Sequence, residues 1–104
     1  MTGHRLPDGQ FPEREGDYSK VVIDGAVRWF NWPPGCPWPG MLRPYEQEGR
    51  PFHEVEEHDD GTITVKASIL MREASAPAVM NGGGGIVAFG GWHGYLERGV
   101  WREA

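Results

Sequence analysis

Two stretches near the end of the chain decide the fold class: Gly61–Leu70, GTITVKASIL, and Gly91–Trp101, GWHGYLERGVW. In and just after the first stretch, apolar residues alternate with mainly polar ones, so one face of an extended strand carries Ile63, Val65, Ala67, Ile69 and Met71. The second stretch has the pattern of two short strands around an Arg98-Gly99 turn. Both stretches predict antiparallel β-structure with one face on a core and the other in solvent.

The rest of the chain extends the same prediction. Val21–Phe30 contains two β-prone runs around an Asp24-Gly25 pair, a strong signal for a tight hairpin. Phe52–His58 and Ile86–Phe89 each suit a short strand, and no window has the apolar spacing of a helix. We therefore predict an all-β fold, a small antiparallel sandwich or open barrel of six to seven short strands. Alternation carries no information on strand order, so both architectures stay open.

Three segments lack strand signals. Residues 1–17 are polar and interrupted by Pro and Gly, which predicts an extended N-terminal arm before a single β domain at 18–104. Trp32–Gly40 holds four prolines and is followed by Pro44 and Pro51, so we expect a long, stiff Pro/Trp-rich loop from Trp32 to Pro51 that excludes a central strand. Glu73–Met80 is Pro-interrupted, and Asn81–Gly85 is expected to be a flexible glycine connection.

Composition narrows the function classes. The chain has 104 residues, room for one domain. Its net charge of −5 and its singly scattered arginines argue against nucleic-acid binding, which needs clustered cations. The single cysteine, Cys36, excludes an internal disulfide and favours a reducing compartment. No segment approaches the roughly 20 apolar residues of a membrane span, so we expect no membrane association.

The two stretches quoted first also carry a family resemblance. GTITVKASIL, a variable insert, and then WHGYL followed by RGVW resemble the C-terminal half of a widespread family of small phage and prophage proteins. Members of that family are mostly β and functionally unassigned, and some carry an unsupported "ammonia monooxygenase" label. The resemblance covers roughly residues 60–101 and implies a phage origin. Many members place a cysteine three residues before the histidine of the last block, which suggests zinc, but this chain has Gly90 there and no cysteine cluster.

Candidate reactive groups are few. His53 and His58 lie among carboxylates, but their five-residue spacing puts them on opposite faces of a strand, so we interpret the cluster as a solvated acidic strand and turn. Cys36 with His93 would be a nucleophile–base pair only if something lowered the thiol pKa, and we interpret Cys36 as a small buried residue. Gly82–Gly85 lacks the Lys-Ser or Lys-Thr pair of a phosphate loop. We expect no catalytic residue, metal or cofactor.

The aromatic residues are the best interaction candidates. Trp92 and Trp101 flank the last hairpin and are expected to pack across it. For Trp32 and Trp38 three interpretations stay open: packing on the domain's own core, a protein interface, or a carbohydrate platform. The candidate interaction residues are Phe11, Trp32, Trp38, Tyr45, Trp92 and Tyr95.

These observations together predict a non-enzymatic phage virion structural protein, most specifically a capsid decoration or cement protein or another head or tail accessory protein. Its expected partners are a phage capsid or tail protein and further copies of the chain, and its expected location is the virion, assembled in the host cytoplasm. The alternative is an intracellular phage accessory protein that binds a host protein or small ligand, with its acidic face toward a basic surface. A third hypothesis is a relic of a metal enzyme that has lost its zinc.

Overall fold

The structure, a computed structural model, describes residues 1–45, 49, 52–71, 74–77 and 86–104. These residues confirm the all-β prediction: they contain strands and no helix, and hence no helix that could cross a membrane. The strands are β1 His4–Arg5, β2 Asp17–Ile23, β3 Ala26–Asn31, β4 Gly40–Met41, β5 Glu54–Glu57, β6 Ile63–Lys66, β7 Ile69–Met71, β8 Ala74–Pro77, β9 Ile86–Phe89, β10 Trp92–Glu97 and β11 Val100–Glu103.

The strands form two larger sheets and two hairpin-like pairs. One sheet has the order β1-β2-β3-β4, and the second has β10 between β7 and β11. Strands β5 and β6 pair with each other, as do β8 and β9. Every pair is antiparallel except β1–β2, which is parallel. The described residues contain eleven strands and not six to seven. Strands β1 and β4 are only two residues long, too short for alternation to show, the stretch from Thr62 to Met71 forms two strands, and β8 was not expected.

Both predicted hairpins are present, and their turns explain the sequence at their ends. Asp24 and Gly25 join β2 to β3 with φ values of 51° and 80°. Arg98 and Gly99 join β10 to β11 with φ values of 46° and 74°. Positive φ at both central residues is the two-residue hairpin geometry whose twist matches that of the flanking strands.

The strand expected from Thr62 to Met71 is broken, which corrects the sequence prediction. Ala67 has a φ of 76° and is exposed, although the alternation placed it on the core face. The chain therefore changes partners there: Val65 of β6 pairs with Val55 of β5, whereas Ile69 of β7 pairs with Gly94 of β10. Alternation survives on both sides of the break, so the pattern alone could not reveal it.

Residues 74–77 also differ from expectation, since they form β8 despite their small and Pro-interrupted sequence. Their partner is the apolar strand β9, the strand expected at Ile86–Phe89, and Pro77 lies at the end of the ladder opposite Ile86. A proline at the end of a strand costs little, because it removes a donor only at the edge of the pairing. The glycine connection predicted at Asn81–Gly85 lies outside the described residues.

Residues 1–17, expected as an arm, are hydrogen bonded along the edges of both larger sheets. Gly3 N–H donates to the Gly99 carbonyl at 2.7 Å, and Trp101 N–H donates to the Met1 carbonyl at 2.8 Å. Farther on, Leu6 N–H donates to the Tyr18 carbonyl at 3.0 Å. The segment is extended, but it joins β11 to β2 and belongs to the same body as the β domain.

Three of the four sheets contribute described side chains to one core. Its buried members come from β2, β6, β7, β10, β11, the loop after β3 and the position after β4, and they are Tyr18, Cys36, Leu42, Ile63, Val65, Ile69, Trp92, Leu96 and Trp101. Trp92 and Trp101 meet edge to face across the last hairpin, with ring centroids 5.8 Å apart, which confirms the expected packing. Such aromatic pairs add to the stability that burial alone provides.

Candidate interaction surfaces

The structure separates the six predicted interaction residues by exposure. Phe11 and Tyr45 are exposed, whereas Trp32, Trp38 and Tyr95 are half-buried. Trp92 is only 8% exposed and belongs to the core, which corrects its assignment to an interaction surface. Its position on β10 explains the difference, because Trp92, Gly94 and Leu96 form the inward-facing set of that strand.

The first part of the Pro/Trp-rich loop folds onto its own domain. The Trp32 indole donates a hydrogen bond to the Cys36 carbonyl at 2.7 Å, and Cys36 N–H donates to the Pro33 carbonyl at 3.2 Å. Pro33 and Cys36 are buried, and Trp32 packs against the core cluster. For Trp32, these contacts favour core packing over the interface and carbohydrate interpretations. The same geometry satisfies the indole donor, which no longer needs a partner in solvent.

The outer face of the β2–β3 hairpin carries a first apolar surface, which we call the outer-hairpin patch: Phe11, Ile23 and Phe30. Phe11 meets Phe30 at a ring separation of 4.9 Å and an interplanar angle of 72°, yet stays 53% exposed. Asp17 holds the backbone that follows Phe11, since its Oδ2 accepts the backbone N–H groups of Glu13 and Arg14 at 3.0 and 3.1 Å. Phe11 is therefore held in place as an exposed ring.

The outer face of the second sheet carries another, the second-sheet patch: Leu70, Tyr95 and Val100. Leu70 is 46% and Val100 47% exposed. Tyr95 lies between them on β10, opposite Arg102, whose guanidinium carbon lies 4.6 Å from the ring centroid. A cation over an aromatic face holds that ring in one orientation.

The end of the β2–β3 hairpin carries a third, the inner-hairpin patch: Val22 and Val27. The two residues are directly opposite in the register and are 63% and 51% exposed. Tyr18 and Trp29 lie on the same face closer to the core, so the patch is the part of the inner face that extends beyond it. Beside it runs a groove of about 240 Å³ lined by Val27, Arg28, Trp29, Leu42, Arg43, Pro44, Phe52, His53, Glu54 and Val55.

The predicted acidic face is largely paired within the chain. Glu57 accepts from Arg5 at 2.8 Å and from Lys20 at 3.3 Å, and the Arg5 hydrogen bond is the main reason that the pKa of Glu57 lies below its usual value. Lys66 lies 3.8 Å from Glu54 and 3.6 Å from Glu56. These cations neutralise much of the charge that a basic partner would need.

The two histidines of the acidic cluster have structural partners. His53 Nδ1 accepts the Arg43 N–H at 2.9 Å, and its Nε2 lies 3.0 Å from the Ser68 carbonyl oxygen. His58 Nε2 lies 2.7 Å from Thr64 Oγ1. Within the described part of the chain, no group of three or more His, Cys, Asp or Glu side chains is placed to hold a metal ion.

The structure does not bring Cys36 and His93 together as a nucleophile and base. Cys36 is buried in the core, as the sequence predicted, and this burial raises the pKa of its thiol to about 12, with a smaller effect from Glu15. His93 lies on the outer face of β10, where it is exposed and stands beside Tyr95 at a ring separation of 6.3 Å. A thiol with such a pKa is almost entirely protonated near neutral pH and is a weak nucleophile.

Sequence reasoning missed the aliphatic members of these patches. Leu70 stood out only as an apolar residue on the otherwise polar face of its strand, and Val22 stood inside an unbroken apolar run. An apolar residue on the solvent face of an alternating strand is the available signal for a contact surface. The predicted interaction residues are all aromatic, so they do not include these aliphatic side chains.

Comparison with known protein families, curated proteins and solved structures found no match to this chain. The resemblance to phage proteins therefore stays a prediction from the sequence.

Proposed function

We propose that this chain is a non-enzymatic structural protein of a phage particle, in its most specific form a decoration or cement protein on the capsid. The observation that carries the proposal is that apolar surface is exposed on three different faces of one small domain. The outer-hairpin and inner-hairpin patches lie on opposite faces of β2–β3, and the second-sheet patch lies on a separate sheet.

Several contact faces suit a subunit of an assembly. A lattice protein meets more than one neighbour, and each contact needs its own apolar area surrounded by polar residues. Two of the patches have that composition. In the second-sheet patch, Val100 lies opposite Glu97 and Leu70 lies opposite His93, and the valines of the inner-hairpin patch adjoin Asp24. The expected neighbours are a capsid or tail protein and further copies of the chain, joined during assembly in the host cytoplasm.

The resemblance and the second-sheet patch involve the same stretches. GTITVKASIL forms β6 and the start of β7, and the last block forms β10 and β11. Leu70, Tyr95 and Val100 therefore come from the residues that resemble the phage family. The resemblance thus falls on the strands that build an exposed contact face.

The alternative, an accessory protein that binds one host protein through its acidic face, has less support. Arg5, Lys20 and Lys66 pair with the glutamates of β5, which leaves a weaker acidic surface than the sequence suggested. A protein with one partner also needs only one apolar face.

The proposal is tested by quantitative mass spectrometry of gradient-purified particles from the phage or prophage that encodes the chain. We expect the chain in multiple copies per particle, in a fixed ratio to the major capsid or tail protein, that survive repeated purification. If infected cells contain abundant chain but purified particles contain none, the proposal is wrong and the accessory alternative takes its place.

A further inference from the structure

We propose that Asp24 is a modification site, at which isoaspartate forms spontaneously and the peptide link to Gly25 moves to the aspartate side chain. An Asp-Gly pair favours this reaction, because glycine has no side chain to hinder attack by its own nitrogen on the carboxyl carbon. The sequence alone does not distinguish among the Asp-Gly pairs, but their hydrogen bonds do. The described residues contain three such pairs: Asp8-Gly9, Asp24-Gly25 and Asp60-Gly61.

The reaction is a ring closure followed by hydrolysis. The Gly25 nitrogen attacks Asp24 Cγ, a C–N bond replaces one C–O bond of the protonated carboxyl group, and the hydroxyl leaves with the amide proton as water. Water then opens the succinimide ring. Addition of water at the main-chain carbonyl carbon of Asp24 leaves isoaspartate, and addition at Cγ restores aspartate. No group is oxidised or reduced, and water is the only co-reactant.

The Asp60-Gly61 pair is protected because both of its reacting groups have partners. Gly61 N–H donates to the His58 carbonyl at 2.9 Å. Asp60 Oδ1 accepts the Thr62 N–H at 2.9 Å and the Thr62 hydroxyl at 2.6 Å. The hydroxyl is the main reason that the pKa of Asp60 lies below its ordinary value, so less of its carboxyl group carries the proton that the reaction needs.

The Asp8-Gly9 pair is held in a similar way. Gly9 N–H donates to the Lys20 carbonyl at 2.9 Å. The Asp8 carboxylate lies 3.4 Å from Arg5 Nη2 and 3.9 Å from Lys20 Nζ. Ring closure here must break a backbone hydrogen bond and turn the carboxyl group away from two cations, which raises its barrier.

The Asp24-Gly25 pair lacks both kinds of protection. Within the part of the chain that the structure describes, neither the Asp24 carboxylate nor the Gly25 N–H has a hydrogen-bond partner. The β2–β3 ladder ends at the pairing of Ile23 with Ala26, so Gly25 lies outside it. Both turn residues are exposed, and a Cβ on Gly25 would meet no described atom within 4 Å. The turn therefore has room to rearrange, and water reaches it.

Isoaspartate at this position should open the end of the hairpin. It adds a methylene group to the main chain, whereas the two-residue turn needs φ values of 51° at Asp24 and 80° at Gly25. The pairing of Ile23 with Ala26 next to the turn should be lost first. The modified protein should therefore unfold at a lower temperature than the unmodified one.

Ageing the purified full chain near neutral pH tests the proposal. Trypsin places the three Asp-Gly pairs in separate peptides, and electron-transfer mass spectrometry distinguishes isoaspartate from aspartate in each. Asn81-Gly82, outside the described residues, reaches the same product by loss of ammonia and falls in another peptide. We expect isoaspartate to form at Asp24 at least about fivefold faster than at Asp8 or Asp60, the factor that one hydrogen bond supplies. In the chain unfolded by denaturant, the three rates should be similar.

Two variants sharpen the test, with circular dichroism as the check that each is folded. Asp24→Glu should abolish the product in its peptide and the loss of thermal stability on ageing, because a glutamate side chain would have to close a larger ring. Thr62→Val should raise the rate at Asp60 and leave the rate at Asp24 unchanged. Equal rates at the three pairs of the folded chain, or a rate at Asp24 below that at Asp8 or Asp60, would overturn the proposal.

Discussion

The indole of Trp101 donates a buried hydrogen bond to the Gly16 carbonyl, 3.0 Å away and 85 residues earlier in the chain. Gly16 precedes β2, and Trp101 is the buried residue of β11, so this bond joins the two larger sheets. The Trp101 backbone N–H adds a second link through Met1, and the Gly16 carbonyl also accepts the His4 N–H at 3.0 Å. One tryptophan thus ties the N-terminal segment to the last strand.

Replacing Trp101 by Phe should cost about 1 kcal/mol more stability than replacing Trp92 by Phe. Both variants lose the same volume from the same aromatic pair, but only Trp101 also loses a hydrogen bond between the sheets. Denaturant unfolding followed by far-ultraviolet circular dichroism measures the difference. Equal losses for the two variants would show that the Trp101 bond adds nothing.

Gly94 should tolerate no side chain. A Cβ there would lie 2.5 Å from Trp92 Cη2 and would also collide with the Arg102 carbonyl oxygen. The Trp92 ring and the Arg102 carbonyl are both rigid, and they cannot both move away to make room for a methyl group. Gly94→Ala should therefore destabilise the fold by about 3 kcal/mol or more. Gly90→Ala is the control, since a Cβ there meets no described atom within 4 Å, and it should change stability by less than about 0.5 kcal/mol. A well-folded Gly94→Ala protein of wild-type stability would contradict the packing of this hairpin.

Ala67→Gly should stabilise the protein by up to about 1 kcal/mol. Ala67 has a φ of 76°, a conformation that strains an L-residue with a Cβ and that glycine adopts freely. Ala26→Gly, in the regular strand β3, should instead destabilise by about 0.5–1 kcal/mol. Thermal and denaturant unfolding should therefore give opposite signs for two identical substitutions, and the same sign would place Ala67 in ordinary strand geometry.

Stability should fall in mild acid through His53. Burial is the main cause that holds the pKa of His53 below its ordinary value of 6.5, and its Nδ1 is occupied by the Arg43 N–H. The folded state therefore binds a proton less readily than the unfolded chain. The contribution of neutral His53 to stability is complete above pH 6.5 and is lost as the pH falls through the lowered pKa of His53 in the folded state.

His53→Gln should flatten the dependence of unfolding free energy on pH between about pH 7 and pH 5. The variant should also be less stable than the wild type at neutral pH, because it loses the two ring hydrogen bonds. His93→Gln, on the exposed face of β10, should keep the wild-type slope. If the His53 variant keeps that slope as well, the acid sensitivity has another origin.

The sequence predicted the local elements of this fold and missed the long-range ones. The Asp24-Gly25 and Arg98-Gly99 turns are confirmed because the residue types that accept positive φ are themselves the signal. The break at Ala67 left no such signal, since alanine rarely takes that conformation. The pairing of residues 1–6 with β2 and β11 depends on backbone hydrogen bonds, which side-chain patterns do not record.

The interaction surface was predictable only in part. Phe11 and Tyr45 are exposed, but Trp92 is a core residue on the inner face of β10. Which residues of a strand face inward depends on where the strand begins, and the sequence did not show this for β10. Val22 and Val27 became visible only when the register put them opposite each other beyond the core. An apolar strand looks the same in sequence whether its end is buried or exposed.

The most direct measurement is cryo-electron microscopy of particles from the phage that encodes the chain, at a resolution that places a β domain of this size. We predict repeated copies of the domain on the head or tail lattice, with the second-sheet patch (Leu70, Tyr95 and Val100) or the outer-hairpin patch (Phe11, Ile23 and Phe30) buried against neighbouring subunits. Particles whose every ordered density is filled by other proteins would contradict the account.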